Sequence, residues 1–83
     1  MKIFYTHKAA NQLRKLPHLV QKRIAKKMRF YAQQKDPLKF AKHLTDHREG
    51  EFRFRIGDWR VIFDVKDNII YVLKIDKRDK AYD

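Results

Sequence analysis

The stretch Glu51-Phe52-Arg53-Phe54-Arg55-Ile56-Gly57-Asp58-Trp59-Arg60-Val61-Ile62-Phe63 decides how this chain folds. From 51 to 56 the odd positions are charged and the even ones apolar, the period-two pattern of a strand with one buried face. Gly57-Asp58 then stands between two apolar runs as a two-residue turn, the commonest link of a β-hairpin. A loop of that length predicts the pairing: Ile56 faces Trp59, Arg55 faces Arg60, Phe54 faces Val61 and Arg53 faces Ile62. Directly opposed residues of an antiparallel pair project from the same face. Arg53, Arg55 and Arg60 therefore share one face, and Phe52, Phe54, Trp59, Val61 and Phe63 form the core on the other. Two arginines directly opposed repel unless an anion sits between them. With no compensation visible in the sequence, the pair points to an anion site; the alternative is that Asp64, Glu51 or Asp76 pairs with the arginines.

Outward from the hairpin the pattern continues. Asp67-Asn68 is a second turn, and the nearly all-apolar run Ile69 to Ile75 a third strand of the meander. Toward the N-terminus the period changes to that of helices. Ala9, Leu13 and Leu16 form one stripe, with Thr6 as the N-cap and a short strand over residues 2–5 before it. Pro17 disfavours helical geometry at Leu16 and opens a second helix, striped by Val20, Ile24, Met28 and Tyr31. Asp36-Pro37 ends it, and residues 38–50 read as a helical turn or a packed loop. The expected fold is α+β in a single domain, residues 1–83. It has an N-terminal strand, an antiparallel two-helix hairpin and an antiparallel β-meander, about four strands with helices on one face.

Composition narrows the functions open to such a domain. The 83 residues hold 21 Lys and Arg against 10 Asp and Glu, a net charge of +11, and no cysteine. That excludes a disulfide scaffold, a cysteine-ligated zinc site and thiol chemistry, and fits a reducing, cytoplasmic location. No apolar run approaches the ~20 residues of a membrane span. Residues 1–48 carry 13 basic residues and two acids, which is +11, whereas residues 49–83 carry eight of each sign. The whole excess lies in the helical half, with Lys22, Arg23, Lys26, Lys27 and Arg29 on the second helix. Such asymmetry points to a polyanionic partner. His43 and His47, with Asp46 between, have no clear third ligand, so no metal or other cofactor is expected.

These residues resemble a known family pattern. Gly50 to Phe63 is similar to the G-x-Y-R-x-R-x-G-D-Y-R-V-I-Y core of the RelE/ParE toxin superfamily. The ending Val72-Leu73-Lys74-Ile75-Asp76-Lys77-Arg78-Asp79-Lys80-Ala81-Tyr82 resembles the family's final strand and its basic, Tyr-terminated tail. The resemblance covers essentially the whole chain. For RelE toxins it implies a ribosome-dependent endoribonuclease of a type II toxin–antitoxin system, cutting mRNA in the ribosomal A site. The ribose 2′-hydroxyl attacks the phosphodiester and leaves a 2′,3′-cyclic phosphate. The matching positions are Arg53 and Arg55 on the first hairpin strand, Arg60 after the turn, Arg78 in the tail and Tyr82 as the stacking tyrosine and proton relay. Some relatives have lysine where Arg53 and Arg55 stand, so the proton acceptor is unassigned, with Lys77 and Lys80 as candidates. Lys22 and Lys26 are expected to draw the protein to ribosomal RNA. The expected partners are the ribosome, its mRNA and an acidic antitoxin that folds on binding, in a toxin–antitoxin hetero-oligomer. The other readings are a ParE-like, non-catalytic poison of DNA gyrase and a bare RNA-binding module.

Overall fold

The computed structural model describes residues 1–77. Its elements run in the order β1 (Lys2–Tyr5), α1 (His7–Arg14), α2 (His18–Gln33), a 3-10 turn (Pro37–Phe40), β2 (Lys42–His43), β3 (Phe52–Ile56), β4 (Trp59–Lys66) and β5 (Ile69–Lys77). The strands make one mixed sheet of order β1-β5-β4-β3-β2, with β1 parallel to β5 and the other pairs antiparallel. The α+β reading therefore holds, with five strands in place of about four. The additional strand is the two-residue β2, too short to show a period of its own.

Local chemistry places each helix. The Thr6 side chain caps α1 by accepting from the Ala9 backbone N–H. From α2, the Gln21 amide donates to the carbonyls of Arg14 and Leu16, which the end of α1 leaves open. Pro17 sits as the N-cap of α2 with φ −53°, the geometry proline favours ahead of a first turn. Where β1 stops, α1 takes over the edge of β5: Gln12 Oε1 accepts from the Ile75 N–H at 2.7 Å.

The helices cover one face of the sheet. Ala9, Ile24, Met28, Tyr31 and Ala32 pack there against Phe54, Ile56, Val61, Phe63, Ile70, Val72 and Ile75, all buried. Each fully buried Ile, Phe or Met contributes about 1.5–3 kcal/mol over an exposed one. The apolar character of β5 does not come from helices on both faces. On the second face the chain itself returns as a loop, and Gly50 lies so close that a β-carbon there would stand 2.7 Å from Ile62 Cγ2 and 3.2 Å from Leu73 Cδ1.

Both turns have the backbone their sequences ask for. Gly57 has φ +61°, the first-position requirement of a type II′ turn, and Asp67 and Asn68 have φ +52° and +63°, the pair of positive angles of type I′.

Candidate functional site

The predicted hairpin register is the observed one: Ile56 faces Trp59, Arg55 faces Arg60, Phe54 faces Val61 and Arg53 faces Ile62. The three arginines thus lie on the face away from the helices, with Lys42 across from Arg53 on the neighbouring strand. Arg53 is only 9% exposed, unusual for a guanidinium, and all three arginines are partnered within the fold.

The expectation of an uncompensated pair is corrected at Arg60, which has a carboxylate partner. Asp76 pairs directly across from Arg60 on β5. Its two carboxylate oxygens accept from Arg60 Nε at 2.9 Å and Nη2 at 2.8 Å, the bidentate geometry that guanidinium and carboxylate share. Lys74 Nζ stands 3.3 Å from Asp76 and donates to Glu49 at 2.7 Å; Glu49 also reaches to 4.0 Å of Arg60. The hydrogen bond to Glu49, with Asp76 beside it, raises the Lys74 ammonium above the ordinary lysine value. Lys74 is therefore a fixed cation at neutral pH, not a base. Of the other two carboxylates in sequence reach, Asp64 accepts from the Glu51 backbone N–H at 2.9 Å.

A β-bulge puts Lys74 and Asp76 on this face. The β4–β5 register shifts between Ile62 and Phe63: Phe63 pairs with Val72, Ile62 with Lys74, and Leu73 is the extra residue. Before the bulge the even positions Ile70 and Val72 face the core; after it the odd Ile75 does, and Lys74 and Asp76 turn to the arginines. Sequence reasoning missed Lys74 and Glu49. The alternation Lys74-Ile75-Asp76 at the end of an apolar run was the available signal for the first, and nothing in the sequence announces the second.

The remaining expected site residues fall in three places. Lys22 and Lys26 are exposed on α2, and Lys77 is exposed at the end of β5, none of them in the Arg60 cluster. Arg23, also on α2, comes to the hairpin tip: a β-carbon at Gly57 would lie 3.0 Å from its Nη1. Arg78, Lys80 and Tyr82 lie outside the described residues. His43 and His47 place their rings 5.5 Å apart edge to face, and His43 also rests on Phe52. Among the described residues no three His, Cys, Asp or Glu side chains group as metal ligands. Their helices include none long and apolar enough to cross a membrane.

A small two-helix domain on a five-stranded mixed sheet, with this hairpin, is the arrangement the sequence resemblance implied. The profile of the family described as "ParE toxin of type II toxin-antitoxin system, parDE" matches residues 3–82. The chain belongs to that family, within the RelE/ParE toxin superfamily. Among solved structures it is similar to a chain of the RelBE2 toxin–antitoxin complex of Mycobacterium tuberculosis: 25% identity, TM-score 0.75, covering 93% of this chain and 90% of that one. It is also similar in fold to a chain of the archaeal RelE–RelB complex of Pyrococcus horikoshii: 24% identity, TM-score 0.75, covering 95% and 96%. A search of curated proteins finds no significant match. The RelE/ParE toxin is thus one component of a type II toxin–antitoxin system, and an antitoxin is its expected partner.

Proposed function

We propose that this toxin is a ribosome-dependent endoribonuclease that cuts mRNA in the ribosomal A site, working in the cytoplasm. The observation that carries the reading is the placement of the cations on one sheet face. Arg55 is opposed to Arg60, with Arg53 and Lys74 beside them on rigid strands, and Arg60 and Lys74 share the exchangeable carboxylate of Asp76. Guanidinium groups so placed match phosphate oxygens two at a time and keep their charge at any relevant pH. They stabilise the charge that builds on a phosphodiester during in-line attack by the adjacent 2′-hydroxyl. The 2′-oxygen bonds to phosphorus and gives up its proton. The bond from phosphorus to the 5′-oxygen of the next ribose breaks, that oxygen takes up a proton, and a 2′,3′-cyclic phosphate remains. Arg60 exchanges Asp76 for phosphate as substrate enters, one charge-assisted contact for another. Tyr82 stacks on a base and relays a proton, Arg78 adds a further cation, and Lys77 and Lys80 hold the RNA strand; Lys22 and Lys26 attract ribosomal RNA.

In a reconstituted translation reaction the protein cuts mRNA only with ribosomes present, and Arg60→Ala abolishes cutting while the fold survives. Retained cutting in that variant would sink the assignment. The second reading, a non-catalytic gyrase poison, is favoured by the ParE profile that matches the chain. A supercoiling assay that responds to the protein, with mRNA left intact on the ribosome, would select it.

A further inference from the structure

The core of this toxin contains a stack of rings that runs out to the surface. Phe52 and Phe63 lie 5.6 Å apart, Phe63 and Phe54 4.4 Å, Phe54 and Tyr31 4.3 Å, and Tyr31 and Phe40 5.2 Å, with interplanar angles from 25° to 31°. The series ends at Phe40, in the 3-10 turn after α2, which is 46% exposed. Phe30, equally exposed, meets Phe40 edge-on at 5.9 Å, and Lys27 Nζ sits 5.5 Å from the Phe30 centroid. Beside Phe40 opens a cavity of about 550 Å³ lined by Gln34, Lys35, Asp36 and Lys39. It lies on the helix side of the sheet, away from Arg60.

We propose that this cavity takes one unpaired nucleotide of a single-stranded RNA, its base stacked on Phe40 and its phosphate held by Lys35 and Lys39. A flat ring is what continues a stack of flat rings, and stacking on an aromatic side chain accepts any base. Both lysines are exposed on the rim, where an ammonium attracts phosphate oxygens. The volume falls within the roughly 300–1,000 Å³ of small-ligand sites. Asp36 supplies an acceptor for an exocyclic amine, and the two lysines outnumber it, leaving the rim net cationic. The site goes beyond the catalytic reading, since it requires RNA as a ligand but no cleavage.

The test measures ribosome-free binding of labelled 2′-O-methyl RNA octamers, which 2′-hydroxyl attack cannot cut, against the same backbone made abasic. The wild-type chain is expected to bind the base-bearing strand at least about fivefold more tightly, the low end for one stacked base. Phe40→Leu should lose most of that preference, keeping only the share from Tyr82, with an unchanged salt slope, because the phosphates contacted are the same. Phe40→Tyr should keep the preference, and Lys39→Gln should lower the salt slope, which keeps the test decisive if Phe40→Leu does not fold. Equal binding of the two strands by wild type, or a full preference surviving in folded Phe40→Leu, overturns the proposal. So does an acidic peptide bearing an aromatic residue that binds at Phe40 while no strand preference is seen. Arg60→Ala should leave the preference ratio intact, so this site and the catalytic reading fail separately.

Discussion

The two faces of the sheet are written by alternate residues of the same strands and hold themselves together differently. On the helix side, Phe54, Val61, Phe63 and Val72 are sealed under α1 and α2, and dispersion and the hydrophobic effect do the stabilising. On the other side, Arg60, Asp76, Lys74 and Glu49 form a partly exposed ion network in which each charge has a partner that can be exchanged. The first face is expensive to disturb and does one thing. The second loses little when a contact is replaced, which is what a site that must admit a phosphate requires.

Single substitutions should separate the faces, and the largest effect is expected in the core. Phe54→Ala removes the middle of the ring stack from a fully buried position and should lower unfolding free energy by about 3–5 kcal/mol in a denaturant titration. A cost well below that would mean the helix side is less tightly packed than its burial implies. Under the proposed function, Arg60→Ala should cut ribosome-dependent cleavage by about 100-fold or more. Its stability cost should be about 1–3 kcal/mol, below that of the core substitution, because the pair with Asp76 is mostly buried but Lys74 remains at Asp76 to share its charge.

Gly50→Ala probes a place where the charged side is tightly packed. The new methyl would meet Ile62, itself fully buried, and should cost about 1–3 kcal/mol by calorimetry without moving the helices. The smallest effect is expected at high pH. The raised Lys74 pKa means its ion pairs contribute fully below the ordinary lysine value of 10.5 and are lost as pH rises through the raised one. Stability of wild type and Lys74→Met should therefore converge only in that alkaline range, and a convergence near neutral pH would contradict the geometry.

The basic helix offers a second contrast. Lys22 with Lys26 and Arg23 with Lys27 are like-charge pairs four apart on α2, each costing about 0.2–0.5 kcal/mol. Charge kept at a local cost is charge kept for a partner. Lys22→Glu or Lys26→Glu should weaken ribosome binding more than they slow chemistry, and also stiffen α2 slightly.

What the sequence made legible follows from which rules are local. A two-residue turn has one register, so the opposition of Arg55 and Arg60 follows from the order of residues alone. Thr6 as a cap and the helical stripe from Val20 to Tyr31 were legible for the same reason. The bulge at Leu73 was not: a run of apolar residues has no phase to break, and only pairing with β4 shows that Lys74 and Asp76 turn toward the arginines. Glu49 reaches the site from a loop, where no periodicity constrains a side chain, and β2 is too short to carry a pattern. The candidate site was thus half readable, its cations better than the acids that hold them.

The central claim is that the placed arginines, more than the net charge, carry the reaction. Its most direct test maps the 3′ ends of mRNA recovered from translating ribosomes after adding wild type or Arg60→Ala, with the melting temperature of each measured alongside. New ends bearing 2′,3′-cyclic phosphate are expected in the A site with wild type, and none with an Arg60→Ala protein whose melting temperature stays above that of the reaction. Intact mRNA with wild type, or the same ends with Arg60→Ala, would contradict the claim.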